Sequence, residues 1–138
     1  PKMLKDRNID LTKYPRIQAK EYIDNMNLYV AAADIVISRA GASTIMELEV
    51  AGKPSILVPY PYAAENHQYY NAKVLSDADA SILVEEKDYD REKLLSKIQE
   101  LYEHPKRLSE LSQNASKLAV LDTAEKIYNI IMTELEKK

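Results

Sequence analysis

The sequence predicts an α/β fold built on a doubly wound parallel sheet. Three observations carry that expectation. Short β-branched apolar runs recur without polar alternation, the signature of strands buried on both faces. Segments of helical spacing separate them, so strands and helices alternate as in βαβ units. After Val84 the spacing is helical to the end of the chain.

The elements follow in order. Residues 1–13 are charged and lack a period, which reads as a helix end and loop. Residues 1–15 then form a connecting segment ahead of a domain spanning 16–138. Arg16 to Ile23 (RIQAKEYI) alternates in part and predicts a first strand. Asp24 or Asn25 can cap a helix over Met26 to Ala33. Asp34 to Ser38 (DIVIS) predicts a second strand, Arg39 to Ser43 (RAGAS) a short turn, and Thr44 to Ala51 a helix. Gly52 stands where a left-handed C-terminal cap belongs, with Pro54 just beyond it. Pro54 to Pro59 predicts a third strand, Tyr60 to Glu65 a loop, Asn66 to Asp77 a helix and Ala80 to Val84 a fourth strand. Three helices close the chain. Asp90 to Glu103 carries Leu94, Leu95, Ile98, Leu101 and Tyr102 at helical spacing. Pro105 opens the next, with Leu108, Leu111, Ala115 and Leu118 in a stripe. Thr123 to Leu135 is the last.

Composition bounds the function. A chain of 138 residues can bury one core, and 46% hydrophobic with 30% charged residues is a globular balance. A net charge of −3 offers no footprint for nucleic acid and no polybasic membrane patch. No apolar run approaches the roughly 20 residues that span a bilayer, and no signal peptide is visible. The absence of cysteine excludes disulfides and thiolate metal sites and fits a reducing cytoplasm. The chain opens Pro-Lys-Met-Leu-Lys, which reads as part of a longer protein. There is no Phe or Trp and there are ten Tyr, so tyrosine is expected to supply the aromatic packing. Tyr60, Tyr62, Tyr69 and Tyr70 could stack on a sugar or contact lipid; lining the core is the simpler reading.

In an open α/β sheet, ligands bind beyond the carboxyl ends of the strands. The loop after Ser38 is the most informative there. Its small residues, Ala40-Gly41-Ala42-Ser43, admit a ligand to the backbone, and the first-turn amides of the following helix favour an anion such as a diphosphate. No G-x-G-x-x-G and no P-loop is present, so an ordinary tight turn stays open beside phosphate binding. Thr44-Ile45-Met46-Glu47 has capping-box spacing, the simpler reading of Glu47. Alternatively the carboxylate, which only accepts, suits the two vicinal hydroxyls of a ribose. His67, Gln68 and Asn71 open a helix, and Gln68 and Asn71 share a face suited to sugar hydroxyls. Capping by Asn66, with a solvated His67, is the alternative. No metal-ligand spacing is readable, and His104, before Pro105, reads as a helix end.

An ordered series of segments resembles the MurG-type N-acetylglucosaminyltransferases of glycosyltransferase family 28. The segments are Tyr22-Ile23-Asp24-Asn25-Met26, Ala33 to Leu48, Gly52-Lys53-Pro54, Asn66-His67-Gln68 and Asn71-Ala72. The resemblance runs from about Arg16 to the C-terminus; 1–15 and 86–138 add little. It implies the C-terminal half of a GT-B fold, a doubly wound Rossmann-like parallel sheet with a helical C-terminus and its first βα unit absent. The family transfers N-acetylglucosamine from UDP-N-acetylglucosamine to lipid I, giving lipid II for peptidoglycan, with inversion. No cofactor and no tightly bound metal is implied. Residues 16–138 would be the UDP-sugar donor-binding domain. Ile23 would contact uracil through its backbone, with Tyr22 beside it. The Gly41, Ala42, Ser43 and Thr44 loop would face the diphosphate and Glu47 the ribose, with Arg39 also among the donor-binding residues. Gln68 and Asn71, with His67 adjacent, would approach the sugar.

Acceptor site and catalytic base belong to the family's N-terminal domain, so this chain alone is expected to be inactive, with no catalytic residue of its own. The full-length enzyme would be cytoplasmic, peripheral on the inner face of the bacterial membrane. Two alternatives stand beside this reading: the donor domain of another GT-B glycosyltransferase, and a non-catalytic α/β interaction domain.

Overall fold

A computed structural model describes residues 4, 6–88 and 90–137. Part of the expected connecting segment, residues 1–3 and 5, lies outside the described residues. The sheet has three parallel strands in the order β1 (Val36–Ser38), β2 (Ser55–Leu57), β3 (Ser81–Leu83). Helices α1 (Met26–Ala32), α2 (Ala42–Ala51) and α3 (His67–Asp77) precede successive strands. Helices α4 (Arg91–Glu103), α5 (Pro105–Leu118) and α6 (Thr123–Glu136) follow β3.

The alternating side chains of β2 explain the double winding. Leu57 points into a cluster with Ile45 and Leu48 of α2, Ala72 and Leu75 of α3, and Ala115 of α5. Its neighbour Ile56 points the other way, onto Leu101 of α4 and Leu111 of α5. Every residue of β2 is buried, which is why that strand shows no polar alternation in sequence. No tyrosine is among the buried core residues. The core is aliphatic, so the core-lining reading of these tyrosines is overturned: Tyr62 is 83% exposed, and Tyr60 and Tyr70 are also exposed. The tyrosines pack edge-on against one another instead, Tyr60 on Tyr62 and Tyr69 on Tyr70. Leu and Ile fill the space between sheet and helices without aromatic rings. Ser55 and Ser81, register partners in β2 and β3, bury hydroxyls that find no partner.

The expected strand at Arg16 to Ile23 is not formed. That segment turns at Tyr14, whose carbonyl accepts the Ile17 amide at 2.9 Å. It makes no ladder with β1, Ile17 is 55% exposed and Tyr22 79%. Partial alternation builds no apolar face here, because Glu21 interrupts the series Ile17, Ala19, Ile23 on the one side that could be buried. Among the described residues β1 therefore pairs on one side only, with β2.

The turn into β2 matches expectation. Gly52 adopts φ 57°, ψ 43° as the C-cap of α2. A Cβ there would stand 2.4 Å from Ser116 Oγ. Ser112 Oγ donates to the Gly52 carbonyl at 2.7 Å. Lys53 Nζ donates to the carbonyls of Ala31 and Ala33 at 2.7 and 3.1 Å. It thus satisfies the C-terminal carbonyls of α1 and places a cation at the negative end of that helix. At the far end of α3, Arg107 of α5 forms a two-point pair with Asp79, a left-handed residue with φ 55°.

Candidate functional site

The loops leaving the carboxyl ends of the three strands gather at one edge of the sheet. After β1, α2 begins at Ala42, two residues earlier than the sequence suggests, with Gly41 as N-cap at φ −67°, ψ 148°. Thr44 is then the third helical residue and Glu47 lies in the second turn. The capping-box reading of Thr44 and Glu47 falls, because that motif needs Thr44 outside the helix. The amides of Ala42, Ser43 and Thr44 find no acceptor among the described residues; Ile45 is the first of the helix to bond, to the Gly41 carbonyl at 3.0 Å. Ala42 and Ser43 are exposed. At Gly41 a Cβ would meet only Thr44 Oγ1, at 3.8 Å. Neither backbone conformation nor packing demands glycine there, and its lack of a side chain leaves open space beside the free amides.

Glu47 is exposed and borders a groove of about 420 Å³ between α1 and α2, lined also by Met26, Asn27, Val30, Met46, Val50 and Ala51. It lies on the order of 6 Å along the helix axis from the free amides, at 1.5 Å per residue. Tyr22 and Ile23 precede α1 in the chain and make no hydrogen bond to the loop after β1.

A different logic binds the remaining residues. Arg39 Nη1 lies 3.2 Å from the Val58 carbonyl, 3.0 Å from that of Pro59 and 2.6 Å from Glu86 Oε2. Its guanidinium sits 5.5 Å from the Tyr60 ring centroid. One side chain therefore joins the loops after β1, β2 and β3. Asn71 Nδ2 donates to the Ala40 carbonyl at 3.1 Å, tying α3 to the loop after β1. Gln68 Oε1 accepts the Tyr60 amide at 3.0 Å. Ahead of α3, Glu65 and Asn66 both take left-handed conformations, with φ 51° and 55°, which side chains adopt at a cost. Asn66 makes no side-chain cap. The ring nitrogen Nδ1 of His67 sits 2.9 Å from the Ala64 carbonyl, so it donates to that oxygen.

The structure thus brings Arg39, Gly41 to Thr44, Gln68 and Asn71 into one connected edge and sets Glu47 on its flank. His67 joins only its own turn. Glu86 and the Tyr60 amide belong to this edge and were not singled out by sequence; an ion pair 47 positions apart leaves no local pattern.

By architecture this is an open, doubly wound α/β domain with its loops presented at the carboxyl edge of the sheet. The chain belongs to the glycosyltransferase family 28 C-terminal domain family, whose model matches residues 1–127. It is 47% identical over 128 residues to the UDP-N-acetylglucosamine--N-acetylmuramyl-(pentapeptide) pyrophosphoryl-undecaprenol N-acetylglucosamine transferase of Thermoanaerobacter sp. (strain X514), covering 93% of this chain and 35% of that protein. The enzyme of the same name from Desulforamulus reducens is 44% identical over 115 residues, 83% of this chain and 31% of the relative. Among solved structures, the crystal structure of Acinetobacter baumannii MurG superposes with a TM-score of 0.77 at 29% identity, over 85% of this chain and 33% of that one. The chain spans about a third of the length of these relatives. Among the described residues, no helix is long and apolar enough to cross a membrane.

Proposed function

We propose that residues 16–138 form the UDP-N-acetylglucosamine-binding part of an inverting glycosyltransferase that makes lipid II from lipid I. The observation that carries the reading is the set of three unpartnered amides at the start of α2, beneath the open space left by Gly41. Fixed amides and the helix dipole there stabilise negative charge with no reorganisation, which is what a departing diphosphate needs. Glu47, set back along α2, accepts the ribose hydroxyls. Tyr22 and Ile23 flank the base, and His67, Gln68 and Asn71 lie toward the sugar. Arg39 supplies positive charge beside the loop. Transfer also requires a base on the acceptor hydroxyl; this set of residues offers none, so the chain alone binds donor without turning it over. The complete enzyme works at the inner face of the bacterial membrane.

Calorimetric titration of the chain with UDP and UDP-N-acetylglucosamine tests the reading. Glu47→Ala should weaken UDP about tenfold or more, the scale of hydrogen bonds to a charged group, while stability moves by less than about 0.5 kcal/mol. Normal UDP binding in that variant would remove Glu47 from the site. Gln68→Ala should weaken the sugar nucleotide and spare UDP; equal loss of both would remove Gln68. The one-sided pairing of β1 favours a second reading, an interaction domain that binds a partner along its free edge. A folded chain with no affinity for uridine nucleotides would select it.

A further inference from the structure

Three acceptors lie within 3.2 Å of Arg39 Nη1, which has only two hydrogens to give. The shortest contact, 2.6 Å to Glu86, is the charged one. The Val58 and Pro59 carbonyls share what remains. Glu86 therefore fixes where the guanidinium sits, and the guanidinium in turn holds the chain leaving β2 from two carbonyls and from the face of Tyr60. The next link is the Tyr60 amide, which donates to Gln68 Oε1. That bond uses the carbonyl end of the Gln68 amide and leaves its NH₂ without a partner among the described residues.

We propose that Glu86 is a positioning residue: acting through Arg39 and Tyr60, it orients Gln68 for the sugar of the donor. The inference rests on the donor-site reading above and adds a residue that touches no part of the ligand. Its mark is a split between ligands. A contact to the diphosphate, or a general loss of fold, weakens UDP and UDP-N-acetylglucosamine alike. A contact relayed to Gln68 weakens only the second.

The test compares the wild-type chain with Glu86→Ala and Glu86→Gln, titrating each with both nucleotides and following amide exchange of the ligand-free proteins. Glu86→Ala should weaken UDP-N-acetylglucosamine about 3- to 5-fold, the scale of a half-exposed ion pair, with UDP within about twofold. Glu86→Gln should fall between, since it keeps an acceptor and loses the charge. The Tyr60 amide should exchange faster in Glu86→Ala. Equal weakening of both ligands, no change in either, or tighter binding through release of Arg39 toward the diphosphate would each overturn the proposal. If the wild-type chain binds neither nucleotide, the donor-site reading fails and takes the ligand role of Glu86 with it. In that case an unchanged Tyr60 exchange rate in Glu86→Ala would also refute the latch itself, which is how the two failures are told apart.

Discussion

The two ends of the sheet carry the only two glycines of the chain, and they use them in opposite ways. At the amino end, Gly52 sits in the left-handed region with Ser116 pressed against it, its carbonyl is bonded by Ser112, and Lys53 beside it closes the end of α1. At the carboxyl end, Gly41 has an ordinary extended backbone, almost nothing near its missing Cβ, and free amides beyond it. One glycine is demanded by the fold. The other meets no such constraint from its backbone or its packing. Motifs of equal prominence in the sequence, Arg39-Ala40-Gly41-Ala42-Ser43 and Gly52-Lys53-Pro54, thus divide into one that stays open and one that holds.

Substitutions at these positions can break the contrast. Gly52→Ala should have the largest effect on stability. It forces a side chain into a left-handed backbone and onto Ser116, costing about 2–3 kcal/mol and lowering the thermal midpoint by roughly 10 °C. Uridine nucleotide affinity, measured where the variant is folded, should stay within about twofold. Gly41→Asp should do the reverse. A carboxylate at the N-cap bonds the free amides and stabilises the fold by about 0.5 kcal/mol. The same carboxylate occupies the place of the diphosphate, so UDP binding should drop about 100-fold. Loss of stability with retained binding would erase the distinction between the ends.

The smallest effect is expected at Asp79, also on the holding side. The hydrogen bond from Arg107 keeps the Asp79 carboxyl below the ordinary carboxylate range. Its contribution is therefore complete above that range and is lost as pH falls through the lowered folded-state value. Both partners are partly exposed, so Arg107→Ala should cost at most about 1 kcal/mol near neutral pH. Chemical denaturation at decreasing pH should show the two proteins converging in acid; a constant gap would mean that Arg107 acts through packing alone.

The order of elements from α1 to α6 was legible from apolar spacing, which records burial in α2 to α5; the same spacing in α6 covers no core, since none of its residues is buried. Arg16 to Ile23 was misread for the complementary reason: alternation signals a strand only where a neighbour supplies the ladder. The start of α2 was misplaced by two residues because Thr44 has a capping side chain and Gly41 has none, yet the chain turned at the glycine. Within the candidate site, Gly41 to Thr44 could be found from local sequence, since a strand, a small-residue turn and a helix are contiguous. Arg39 could be found too, but its partners could not. Val58, Pro59 and Glu86 come to it through the packing of three parallel strands, and no spacing along the chain encodes that meeting.

The bond from Asn71 to the Ala40 carbonyl reaches further than the atoms it joins. A trans peptide carries its oxygen and its hydrogen on opposite sides of one rigid plate, and no cis bond occurs among the described residues. By gripping the oxygen, Asn71 points the Gly41 hydrogen away from α3, as a tiller sets a rudder.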